Sequence, residues 1–196
     1  MPRPRLILIP GLGADERMFE AQRELPVQIE SPSWLEPNLN ESLAGYARRL
    51  TERVEPGLPF FLGGASFGGM LALEMAQHLR PEGVLLLSSC RSPSVLPCSH
   101  RFGAGAAPLI PGAFVSLMMR FRAPIRRAFG VCDAQHSDLL IQMMRDIPFS
   151  FVRWGLAALM AWPGAAELAA PQGKPTRFPY RFIAGLAGEF RMRRWR

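Results

Sequence analysis

The sequence predicts an α/β fold: a mostly parallel sheet with helices on both faces, carrying a long helical insertion. Three observations predict it. Short, solidly apolar runs alternate with amphipathic helical patterns from Leu6 to Leu87. One run, Phe60-Phe61-Leu62, ends in the glycine turn Gly63-Gly64-Ala65-Ser66-Phe67-Gly68-Gly69, and a helical pattern starts directly after it. From Arg91 to about Lys174 no strand stands out, and prolines and helical pieces replace the alternation.

Leu6 to Ile9 is a continuous apolar run closed by Pro10-Gly11, the pattern of an internal parallel strand buried on both faces. Gly11-Leu12-Gly13-Ala14-Asp15 is a loop, and Glu16 to Gln22 starts a short helix. Val27 to Ile29 is a second strand, ended by Ser31-Pro32-Ser33. Asn40 or Ser42 caps a helix over Leu43 to Val54, whose Leu43, Ala47, Leu50 and Val54 share one face. Pro59 to Leu62 is a third strand. Beyond the glycine turn, Met70, Leu71, Leu73, Met75, Ala76 and Leu79 fill a helix that Pro81 and Gly83 stop. Val84 to Leu87 is a fourth strand. Within the insertion, Phe114 to Phe121, Asp133 to Met144 and Phe149 to Trp162 read as helices. They either wall the strand ends as a lid or complete the core, and both stay open. Tyr180 to Ala184 is one more strand. The expected division is residues 1–90 and 175–190 as the α/β core, 91–174 as a helical lid or cap, and 191–196 as a basic tail.

A chain of 196 residues suits one domain, and 48% hydrophobic content is enough for a real core. The net charge of +7 is unevenly placed: without Arg191, Arg193, Arg194 and Arg196 it falls to +3. The basic balance is therefore largely a property of the tail, and no nucleic-acid partner is expected. Three cysteines, Cys90, Cys98 and Cys132, at irregular spacing argue against a disulfide framework or a zinc knuckle and fit a reducing compartment. The apolar run near the start is too short for a signal peptide, and no segment reaches the ~18 to 20 apolar residues of a membrane span. A cytoplasmic location is the expectation.

Gly64-Ala65-Ser66-Phe67-Gly68 fits the G-x-S-x-G nucleophile elbow, in which a serine sits on a sharp, strained strand-to-helix turn. Glycines two before and two after the serine leave room where strand and helix cross. The strand, turn and helix around it are the context the motif requires. Two other glycine-rich readings fail. A phosphate-binding loop needs Lys-Ser/Thr after its last glycine, where Gly69-Met70 stand, and Glu16 occupies the third glycine position of a dinucleotide fingerprint at Gly11-Leu12-Gly13. The plainer alternative is a buried serine in an ordinary β-α turn.

Together, Leu6-Ile-Leu-Ile-Pro-Gly-Leu-Gly, Gly64-Ala-Ser-Phe-Gly-Gly and the strand at Val84 resemble the α/β-hydrolase fold superfamily. The resemblance implies Ser66 as catalytic nucleophile and the backbone N–H groups of Leu12 and Phe67 as the oxyanion hole, with Gly64 and Gly68 as elbow glycines. Losing one such donor typically costs ~3 kcal/mol in the transition state. It implies a serine hydrolase for an ester, thioester or similar small acyl substrate, with no cofactor and no metal. The loop Pro10-Gly11-Leu12-Gly13 lacks the more usual His-Gly start.

The C-terminal third departs from the pattern. The family orders its triad as Ser, then Asp or Glu, then His. Ile183-Ala184-Gly185-Leu186-Ala187-Gly188 places Gly188 where the aspartate belongs, Glu189 is out of register, and no histidine follows His136. A serine hydroxyl needs a base to take its proton. His78 lies ~18 Å along the helix that follows Ser66, out of reach. His100, in the loop after the strand at Val84, and His136 are the other two histidines, and neither is in the family's position for the base, which stays unassigned. His136 also has Asp133 three residues before it, but this pair lacks a third metal ligand. The expectation is a C-terminally truncated or frame-shifted hydrolase of marginal stability, its last strand missing and its sheet edge exposed. The alternative is a non-catalytic remnant that serves as a ligand-binding or interaction module.

Overall fold

The computed structural model describes residues 3–55, 57, 59–92, 134–165, 180–184 and 190–194. Four strands, β1 (Arg5–Ile9), β2 (Gln28–Glu30), β3 (Phe60–Ala65) and β4 (Val84–Leu87), form one parallel sheet in the order β2-β1-β3-β4. Ile9 pairs with Gly64 and Ala65 with Leu87, so β1, β3 and β4 end nearly level at their carboxyl edge. That edge is where open α/β sheets bind their ligands.

The two inner strands are buried along almost their whole length, as their unbroken apolar runs require. Alternate residues feed two layers. Ile7, Ile9, Phe60 and Leu62 face a core shared with the helices α1 (Leu43–Thr51) and α2 (Phe67–Leu79). Leu6, Leu8, Phe61, Ala65 and Leu87 join a second cluster with Phe19 of the 3₁₀ turn Glu16–Gln22. Each fully buried Leu or Phe contributes roughly 1.5–3 kcal/mol, so these layers dominate the stability.

Ser42 caps α1, its hydroxyl accepting the Gly45 N–H at 3.1 Å. The helix stops at Thr51 rather than Val54, because the chain tightens there into i→i+3 bonds, Arg53 to Leu50 and Val54 to Thr51. α2 ends on Arg80 in a left-handed conformation, φ 51°, before Pro81.

Two further helices, α3 (Ala134–Asp146) and α4 (Phe149–Ala161), match the last two helical pieces of the insertion. α4 contributes Phe151 and Ala158 to the α1–α2 core, and Trp162 just beyond it joins them. Trp34, Tyr46, Phe151 and Trp154 form one aromatic contact group across this face, with ring centroids 4.4–6.0 Å apart. Two indoles pin the helix: Trp154 Nε1 donates to the Glu41 carbonyl at 2.8 Å, and Trp162 Nε1 to buried Glu74 at 2.7 Å. The piece expected over Phe114 to Phe121 lies outside the described residues.

Tyr180–Ala184 is a strand, β5, but its partner corrects the expectation that residues 175–190 join the parallel sheet. β5 pairs antiparallel with β6 (Phe190–Arg194), in a separate two-stranded sheet. The basic tail expected over 191–196 is thus largely strand. Its alternation Phe190-Arg191-Met192-Arg193 has the period of two that suits a strand, and hairpin pairing satisfies both backbones locally.

Candidate active site

The site begins where β3 runs into α2. Ser66 occupies that junction at φ 50°, ψ −116°, a conformation that costs a residue with a Cβ roughly 1–3 kcal/mol. Its side chain is exposed at the carboxyl edge of the sheet, which excludes a serine sealed in an ordinary β-α turn.

Crowding explains the glycines. A Cβ at Gly64 would run into the backbone of Gly68 and Gly69. A Cβ at Gly68 would run into the carbonyl oxygens of Ile9 and Pro10. One glycine lets the helix fold back over its own strand; the other lets it pass beside β1. No side-chain rotation relieves either collision, because the opposing atoms are backbone.

Main-chain bonds hold Ser66 in place. Its N–H donates to the Leu87 carbonyl at 2.8 Å. Its carbonyl accepts the Gly69 N–H at 3.0 Å and the Ser89 hydroxyl at 2.6 Å. The sequence reasoning missed Ser89, which reaches the elbow across the sheet. The available signal was its position two residues beyond the end of an apolar parallel strand.

The loop expected to supply an amide lies beside the elbow. A Cβ placed on Gly11 would stand 4.0 Å from Ser66 Cβ and 3.6 Å from the Ala65 carbonyl oxygen. The loop turns through an Ala14 N–H bond to the Gly11 carbonyl at 3.0 Å and through Gly13 at φ 84°. Leu12 packs its side chain on α4, where a Cβ at Gly155 would come within 2.5 Å of Leu12 Cδ1. Phe67 opens α2, among the amides that have no acceptor within their own helix. Its ring is buried edge-on against Trp154, centroids 6.1 Å apart and planes at 90°. The α4 neighbours Trp154 and Gly155 thus contact Phe67 and Leu12.

One charge cluster lies beside the loop. Arg17 bridges the Asp15 carboxylate at 2.6 Å and the Asp146 carboxylate at 2.5 Å, joining the 3₁₀ turn to the end of α3. The Arg17 hydrogen bond holds the Asp15 carboxyl below its ordinary range, against the opposing effect of burial. Cys90 lies three residues beyond β4, and burial pushes its thiol up, away from thiolate chemistry. Among the described residues no group of three His, Cys, Asp or Glu side chains has the arrangement to hold a metal ion.

The three histidines fare differently. His78 stands exposed in the last turn of α2, twelve residues beyond Ser66 and ~18 Å along the axis. His136 lies in the first turn of α3. His100, with Gly188 and Glu189, lies outside the described residues. Among the described side chains, none places an imidazole at the Ser66 hydroxyl.

No family model matches the chain. A stretch of 79 residues is 35% identical to orsellinic acid synthase of Emericella nidulans, over 36% of this chain and 4% of that protein. The fold has several solved counterparts. A hydrolase from Pseudomonas aeruginosa superposes with a TM-score of 0.58 at 18% identity, over 81% of this chain and 64% of that one. A carboxylesterase structure from the thaumarchaeon Nitrososphaera gargenis gives 0.60 at 13% identity, over 83% and 65%. The bottromycin epimerase, in complex with bottromycin A2, gives 0.60 at 16%, over 87% and 70%. This chain spans about two thirds of the length of these structures. An epimerase among them is a reminder that a fold hosts more than one chemistry.

Proposed function

From the α/β-hydrolase fold that this chain carries, we propose an acyl-group hydrolase in which Ser66 is the nucleophile. The single observation that supports it is the exposed Ser66 side chain on a backbone at φ 50°, ψ −116°. Strain of that kind persists only where the surroundings over-determine it, and it clusters at functional sites. The substrate class is a small ester or thioester. Ser66 Oγ bonds to the acyl carbon, the alcohol or thiol leaves with a proton, and water then releases the acid and restores the hydroxyl. The main-chain amides of Leu12 and Phe67 hold the oxygen that becomes negative on the way. His78 does not take the Ser66 proton, because it lies too far along α2.

Labelling with a fluorophosphonate, read by intact mass and peptide mapping, tests the assignment. One adduct on Ser66, absent in Ser66→Ala, is the expected result; an unmodified parent chain refutes it. A second reading, binding of an acyl compound without turnover, is supported by the sequence of the C-terminal third, where Gly188 stands at the position of the family's aspartate and no histidine follows His136. An activated ester separates the two. Sustained product release that Ser66→Ala abolishes supports hydrolysis, whereas thermal stabilisation without release supports binding.

A further inference from the structure

We infer that Ser89 is a positioning residue for Ser66, holding the nucleophile's strained backbone from the neighbouring strand. This rests on the reading of Ser66 as nucleophile. The end of β4 grips Ser66 on two sides. Leu87 takes its N–H through a carbonyl at 2.8 Å, and Ser89 gives its hydroxyl to the Ser66 carbonyl at 2.6 Å. Between them Ser88 adopts φ 47°, so the chain kinks at the point where it leaves the sheet. The two gripping groups are therefore two residues apart in sequence yet meet the same residue.

The grip is matched by space on the other side. A Cβ at Gly69 would stand 2.5 Å from both Cβ and Oγ of Ser89. Gly69, the last glycine of the turn, thus leaves room for Ser89 as well as for the Gly64 carbonyl oxygen, which the same Cβ would approach to 2.9 Å. The bond also has a direction that matters for chemistry. A carbonyl fixed by the Ser89 hydroxyl and the Gly69 N–H cannot rotate, and the peptide plane it belongs to carries the Phe67 N–H at its other end. Fixing that plane fixes the direction of an amide proposed to receive the oxyanion. Ser89 therefore acts on geometry at two places, the Ser66 torsion and the Phe67 donor, without touching substrate.

The test is the kinetics of fluorophosphonate labelling, resolved into the limiting rate and the probe's affinity, alongside thermal unfolding. Ser89→Ala is expected to lower the limiting rate about tenfold, the effect of losing one well-aligned hydrogen bond, with affinity and final labelled fraction unchanged. Ser89→Thr keeps the hydroxyl and restores most of the rate, and Ser89→Cys, a weak donor of similar size, falls between. A Ser89→Ala chain that labels at the parent's limiting rate overturns the assignment. So does one that loses labelled fraction at an unchanged rate, since that is loss of folded protein and not of alignment. A parent chain that never labels removes the Ser66 reading itself, and this one with it.

Discussion

Replacing Trp162 by Phe tests what fastens α4 to the body of the fold. Trp162 Nε1 donates to Glu74 Oε1 at 2.7 Å, and both residues are buried, at 4% and 8% exposure. Phenylalanine keeps most of the packing but leaves the carboxyl oxygen without this donor. Gln77 Nε2 donates to the other carboxylate oxygen, Oε2, at a long 3.5 Å, so it does not replace the indole. A buried acceptor stripped of its partner costs ~1–3 kcal/mol, so a loss of about 2 kcal/mol is expected. For a chain of this size that is about 4–8 °C in Tm. Urea unfolding followed by far-ultraviolet circular dichroism measures it. Trp162→Phe, Glu74→Leu and the double variant form a cycle that separates the bond from the smaller ring, with an expected coupling of ~1–2 kcal/mol. A coupling indistinguishable from zero would mean that the indole fills space only.

Two other outcomes follow from the site. Ser66→Gly removes the Cβ that makes φ 50°, ψ −116° costly, so it should raise stability by about 1 kcal/mol while abolishing labelling. Ser66→Ala keeps the Cβ and should not stabilise; equal unfolding midpoints for the two variants would count against strain at the elbow. The Asp15–Arg17–Asp146 cluster predicts an acid-sensitive step. Asp15 has a lowered folded pKa, so its contribution is complete above the ordinary carboxylate value and is lost as pH falls below ~4, through the folded value. Arg17→Met should flatten the fall in urea midpoint between pH 5 and pH 3, and an unchanged slope would show that other carboxylates carry it.

The parts of this molecule legible in its sequence are those that local chemistry decides. Val84 to Leu87 is a strand with the bounds its apolar run suggests, and Ser42 caps a helix as its hydroxyl favours. The Ser66 turn was readable because strand, glycines and helix are contiguous. Contacts brought together by the sheet were not readable. The order of residues shows only that Ser89 follows an apolar strand; that it reaches Ser66 depends on the β3–β4 register. The apolar content of Phe149 to Ala161 announced burial but not its partner, and only packing against Tyr46 and Phe67 gives it a place. The β5–β6 hairpin was obscured by its arginines, whose charge read as a tail although their spacing is that of a strand. His100 and His136 carry no local signature that ties either to the elbow.

The tryptophans have an optical consequence. Of the four in the chain, Trp154 and Trp162 belong to α4 or its end and Trp34 packs at a tilt against Phe151, leaving Trp195 elsewhere in sequence. Three of four emitters thus sit in one seam. Steady-state emission from this protein is chiefly a gauge of whether that seam is shut, and a red shift during mild heating or ligand addition would mark α4 lifting away before the sheet itself comes apart.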